Sequence, residues 1–258
     1  MSEKNREAKR TARERLAVER EKQKAAEKRR RALIVGAAVV GVLGLAAVIG
    51  VVAANAGKDD GGESAGPVVV PSGAQGKDGL AIPVGKESAS STLTVWEDFR
   101  CPACKGFEQA YRSTIHELTA AGQLKVNYHL ATIIDGNMGG TGSRTAANAA
   151  ACAQDAGKFT EYHDVLYDSQ PQEADDAFAD TAKLLDLAGK VEGLDTAEFR
   201  KCVEDGTHNS WVAKSNEAFS KGGFTGTPTV LLNGKNIYQD QTMTPAKLKQ
   251  MVQQAAKG

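Results

Sequence analysis

The chain has 258 residues, with 32 Lys/Arg balanced by 32 Asp/Glu and only four cysteines. That length suits one main domain with appendages, and a net charge of zero excludes a protein that works through overall basicity. The balance hides an asymmetry: residues 1–31 carry 13 Lys/Arg against 6 Asp/Glu, net +7, and the remainder carries 19 against 26, net −7. A chain basic at one end and acidic at the other reads as a topology signal, not as a nucleic-acid footprint.

Residues 1–31 read as a solvated, partly helical cytoplasmic arm; Glu residues interrupt its basic clusters, which argues against nucleic-acid binding. The sharper reading is contact with anionic lipid headgroups through Arg29-Arg30-Arg31. Residues 32–54 contain no charge in 23 positions, longer at about 1.5 Å per residue than the roughly 30 Å hydrocarbon core. This predicts a single transmembrane signal-anchor, with the Arg triplet holding the N-terminus in the cytoplasm. The competing reading is a cleaved signal peptide, because Ala54-Asn55-Ala56 resembles a signal-peptidase site. Either way the remainder is extracytoplasmic. Residues 55–80, rich in Gly, Ser, Pro and Asp, predict a flexible linker.

Residues 81–84 suggest a short edge strand, where Pro83 is tolerated. Residues 93–97 form an apolar, β-rich run, followed by Cys101-Pro102-Ala103-Cys104 and by apolar residues at helical spacing over 102–120. Pro102 fits the first position of that helix, where no N–H is needed. Cys101 then lies at the helix start, whose unpaired N–H groups favour a thiolate, and Cys104 lies one turn on. A strand–Cys-x-x-Cys–helix arrangement predicts a redox couple. Zinc is disfavoured, since Cys152 and Cys202 are single and distant, and His116, His129, His163 and His208 form no pair at ligand spacing.

Gly122 ends the helix, and residues 124–130 alternate apolar and polar as a strand, so a parallel crossover is expected. Residues 136–223 break the β pattern with expected helices at 143–154, 159–167, 176–187, 196–204 and 210–220. The β pattern returns at 229–232 and 235–238, joined by Asn233-Gly234, a strong hairpin signal. Residues 244–256 close the chain as a helix with Thr244 as N-cap and Pro245 at its first position. Trp96, Phe99 and Trp211 read as core aromatics.

Glu97-Asp98-Phe99-Arg100-Cys101-Pro102-Ala103-Cys104, the helical insertion at about 136–223 and Phe224-Thr225-Gly226-Thr227-Pro228-Thr229 together carry a resemblance to the DsbA-like thiol–disulfide oxidoreductases over residues 81–258. The resemblance implies an α/β thioredoxin fold with a helical insertion, here preceded by the transmembrane helix. It also implies a catalytic Cys101–Cys104 dithiol with no separate cofactor and no metal, and a cis-proline loop at Thr227-Pro228 that binds extended substrate beside Cys101. The partners it implies are reduced, unfolded exported proteins and a membrane partner that passes electrons to a quinone. Ala103 departs from the His of the most oxidising members and predicts a weaker oxidant. Val95 stands where members often carry an acid, so Glu97 or Asp98 is open either as a proton-transfer group for Cys104 or as a charge at the solvent end of a strand. In an oxidising compartment Cys152 and Cys202 most simply pair as a structural disulfide, with an electron relay as the alternative. The expected activity is disulfide formation; a reductase or isomerase kept reduced by a membrane protein and a peptide-holding adaptor are the alternatives.

Overall fold

The computed structural model describes residues 67–256. The arm expected at 1–31, the membrane span expected at 32–54 and the first part of the linker expected at 55–80 lie outside the described residues; among the described residues, no helix is long and apolar enough to cross a membrane. Five strands, β1 (Ile82–Val84), β2 (Ser91–Glu97), β3 (Leu124–Leu130), β4 (Thr229–Leu232) and β5 (Lys235–Asn236), form one sheet in the order β1-β3-β2-β4-β5. Only β2 and β3 run parallel; the other neighbours are antiparallel. β3 shows why its residues make a strand: Leu124, Val126, Tyr128 and Leu130 alternate onto one buried face. β2 is central and covered on both faces, so Leu93 and Val95 are buried on one side and Trp96 on the other.

The β2–β3 crossover is helix α1 (Pro102–Ala120), which buries Cys104, Phe107, Ile115 and Leu118. It stops where Gly122 takes a positive φ of 69°, the left-handed turn that glycine adopts without penalty. Helix α8 (Pro245–Ala255) packs beside α1 and begins with the Thr244 side chain accepting from Lys247 N.

The insertion comprises α2 (Ile133–Met138), α3 (Gly142–Asp155), α4 (Phe159–Asp168), α5 (Thr181–Ala188), α6 (Ala197–Glu204) and α7 (Asn209–Lys221). Its centre is α3, whose small buried side chains at Ala146, Ala147, Ala149, Ala150, Ala151 and Ala153 let the five other helices of the insertion approach closely. Cys152 on α3 is bonded to Cys202 on α6. Closing a loop of that 50-residue separation stabilises the fold by about 4 kcal/mol on the chain-entropy model.

Three expectations change. Helix 176–187 becomes a 3₁₀ turn at Ala177–Ala179 followed by α5, because Asp180 turns its carboxylate to Ala182 N and caps a new helix. The strand expected at 235–238 stops at Asn236, whose side chain accepts from Tyr238 N and turns the chain. The 55–80 linker, in its described part, is docked. Gln154 Nε2 donates to Ser72 O, Ser72 N donates to Asp155, and the indole of Trp211 donates to Gly79 O. The buried indole N–H of Trp211 needs an acceptor, and this backbone supplies it.

Candidate active site

Cys101 occupies the N-cap of α1 in an extended conformation, with Pro102 and Ala103 opening the first turn. The Thr227-Pro228 peptide is cis, and the Cys101 thiol donates to Thr227 O at 3.2 Å. Chain segments 126 residues apart thus meet at one sulfur. Cys101 is 6% exposed, whereas Cys104 is 0% exposed. The two thiols differ sharply in acidity. The Cys104 side chain hydrogen-bonds Cys101 and, against the cost of burial, lowers its pKa to about 6. The Thr227 side chain and the backbone N–H groups of Cys104 and Ala103 lower it further. Burial pushes Cys104 well above its ordinary value, and the charges of Cys101 and Glu97 add to this. One side therefore holds a thiolate at neutral pH and the other a thiol, the asymmetry that thiol–disulfide exchange needs.

The backbone around Cys101 is held from the insertion by residues that no sequence motif marked. Gln170 Nε2 donates to both Phe99 O (2.8 Å) and Cys101 O (3.0 Å). Arg100, 2% exposed, is clasped by Asp135 at 2.7 Å and Asp176 at 2.9 Å, and donates to Gly139 O and Glu173 O. Asp135 in turn accepts from Ser143 N and Arg144 N at the start of α3. Arg100 stood in the quoted motif, but its partners lie 35 and 76 positions away, so only folding identifies them.

Glu97 and Asp98 do not sit at a solvent end of the strand. They are 1% and 0% exposed, because α2 and α4 cover the end of β2. Asp98 accepts from Arg100 N and Ile134 N, and burial raises its pKa to about 6. Glu97 pairs with His163 at 2.8 Å. Cys152 and Cys202 lie apart from this site, within the insertion.

On the other side, Phe107, Tyr111, Val230, Ile237, Tyr238 and Met243 line a groove of about 350 Å³. Tyr238, 43% exposed, meets Phe107 edge-on, and the charges of Cys104 and Cys101 help raise its pKa after burial.

Residues 77–254 match the thioredoxin family. The chain is 26% identical over 157 residues to Disulfide bond formation protein D of Bacillus subtilis, covering 60% of this chain and 68% of that one. It is 29% identical to Serine/threonine-protein kinase PknE of Mycobacterium tuberculosis, but spans only 27% of that kinase. Among solved structures, oxidised DsbA of M. tuberculosis superposes with a TM-score of 0.60 at 26% identity, covering 69% of this chain and 93% of that one. The reduced DsbG of the same organism gives 0.60 at 26% identity, covering 70% and 89%. The chain belongs to the thioredoxin family and is a thiol–disulfide oxidoreductase of the DsbA type.

Proposed function

We propose that this protein forms disulfides in exported proteins, with Cys101 and Cys104 as its redox couple. The observation that carries the reading is the placement of Cys101 at the start of α1 against the cis Thr227-Pro228 loop, with Cys104 fully buried one turn on; the lowered pKa of Cys101 and the raised one of Cys104 accord with it. A substrate thiolate attacks Cys101 Sγ of the disulfide form, and Cys104 leaves. A second substrate thiolate then attacks the mixed disulfide and expels Cys101, whose low pKa makes it a good leaving group. Thr227, with its carbonyl 3.2 Å from Cys101 Sγ, offers backbone to an extended substrate segment as one added strand. The groove beside Tyr238 takes the apolar side chains that an unfolded chain exposes.

The protein works outside the cytoplasm, held at the membrane by residues 32–54, and is reoxidised by a membrane partner that passes electrons to a quinone. The likeness to Disulfide bond formation protein D supports the forming direction over reduction. Oxidative refolding of a reduced, unfolded disulfide protein tests this. Cys104→Ala should accumulate mixed disulfides at Cys101, and Cys101→Ala should abolish both trapping and turnover. An adaptor would bind the unfolded chain equally in wild type and both variants and speed disulfide formation in none. In-cell thiol trapping that finds the couple reduced would replace the oxidase with a reductase or isomerase.

A further inference from the structure

On the sheet face opposite Leu93 and Val95 the fold leaves a cavity of about 470 Å³, larger than the groove of about 350 Å³ near Tyr238. Trp96 of β2 and His129 of β3 are register partners on this face, and their rings stack at 4.1 Å and 15°. Cys104 belongs with Leu93 and Val95 to the main core, whereas Trp96, Ala131 and Phe219 form a separate apolar cluster against which Phe224 packs. Phe224, 5.5 Å from Trp96, closes one side of the cavity, and Ala218 of α7 closes another. A Cβ at Gly222 would meet the Phe224 ring at 2.6 Å, so glycine at that position is what lets this wall form.

The rest of the border is charged. The exposed side chains of Lys77, Lys214 and Lys221 stand against those of Asp78 and Glu217, three cations to two anions, net +1. Lys221 and Glu217, one turn apart on α7, pair with each other. Among the described residues, Lys77 and Lys214 form no ion pair, and they reach the cavity from two different chain segments. The segment that carries Lys77 is fixed in place: Gln75 and Ala81 exchange backbone hydrogen bonds at 2.7 and 2.9 Å, and the Trp211 indole holds Gly79 O.

We propose that this cavity is a binding site for a planar aromatic acid, its ring system held by Trp96, His129 and Phe224 and its carboxylate by the lysine rim. A preformed, mostly apolar pocket of about 300–1,000 Å³ with a few placed polar groups is the usual form of a small-molecule site. The fold gains nothing by leaving the cavity open, since walls without partner atoms forfeit dispersion contacts. A flat ring restores them.

Each part of that ligand answers a group on the wall. Offset or edge-on contact with aromatic side chains favours a flat ring beyond the area it buries. A carboxylate receives charge-assisted hydrogen bonds from Lys77 and Lys214; Glu217 is held by Lys221, which leaves Asp78 as the acid of the rim that opposes it. A cation would find aromatic faces, but His129 already covers one face of Trp96, and the net +1 rim opposes its entry. The inner wall adds no charge of its own. Burial pushes the His129 pKa down to about 4, with the Leu80 backbone opposing, so the imidazole is neutral at pH 7.

Calorimetric titration of the full chain with naphthoate, naphthamide and cyclohexanecarboxylate tests this. Naphthoate should bind roughly tenfold more tightly than naphthamide, the worth of one charge-assisted hydrogen bond. It should also bind more tightly than cyclohexanecarboxylate, which keeps the charge and lacks the flat ring. Added salt should weaken naphthoate binding and leave naphthamide unchanged. Lys77→Ala with Lys214→Ala, both exposed positions, should erase the preference for the acid while sparing naphthamide. Ala218→Phe, which fills the cavity, should abolish binding of all three compounds. Tyr238→Ala, which alters the groove beside the dithiol, should change nothing. Should Ala218→Phe fail to fold, the lysine pair still decides. No saturable binding at millimolar naphthoate, equal affinity for acid and amide, or an unchanged preference in the lysine variant would overturn the proposal. So would binding lost in Tyr238→Ala and kept in Ala218→Phe, which would put the compound in the groove beside the dithiol.

Discussion

Removing the thiol of Cys104 separates two explanations of the Cys101 thiolate. A pKa lowered from 9.0 to about 6 corresponds to about 4 kcal/mol favouring the anion. From the sequence, the helix start accounts for this; in the structure the largest contribution is the hydrogen bond from Cys104. A hydrogen bond to a charged group contributes about 1.5–3 kcal/mol, or about one to two pKa units. Cys104→Ala should therefore titrate at about 7 to 8 by that conversion, while Cys104→Ser, which keeps a donor, should stay close to the value of about 6. Thiolate ultraviolet absorbance against pH measures all three proteins. The same change appears in stability. The native pKa is depressed, so the reduced protein gains stability as pH rises from about 6 toward 9 and loses it as pH falls through the native value. Cys104→Ala should shrink that gain by about 1.5–3 kcal/mol in denaturant titrations. If Cys104→Ala still titrates near 6, the helix end and Thr227 hold the anion and the thiol does not.

Gln170→Ala leaves Phe99 O and Cys101 O without their donor; stability should fall by about 1–3 kcal/mol, and Cys101 alkylation should slow because its backbone is no longer held. Cys152→Ala with Cys202→Ala should cost about 4 kcal/mol in thermal unfolding while sparing dithiol reactivity; loss of turnover with normal melting would instead indicate an electron relay. Ala103→His should lower the Cys101 pKa further and make the couple more oxidising, read by glutathione equilibration at about 30 mV per 1.4 kcal/mol. An unchanged couple would mean that residue 103 does not face the thiolate. Carbonate extraction and protease access on spheroplasts should find the protein membrane-bound with its domain outward, whereas release after Ala56 would indicate a signal peptide.

Local chemistry determined what it could reach. Pro102 after Cys101 set the helix start, Asn233-Gly234 set the hairpin turn with both residues at positive φ, and Thr244-Pro245 set the last helix. Alternation in 124–130 set the buried face of β3. These features involve neighbours within a few residues, where backbone sterics and hydrogen-bond geometry act without help. Tertiary structure decided the rest, because the partners are distant in sequence. Gln170 reaches Cys101 across 69 positions, and Trp211 reaches Gly79 across 132. The charged pair Glu97-Asp98 read as well as a strand's solvent end as it did a buried site. Its burial depends on α2 and α4 folding over β2, and its chemistry on His163 arriving 66 positions later. A side chain's type states what it can donate or accept; only the fold decides whether water or another side chain meets it, and with that its charge.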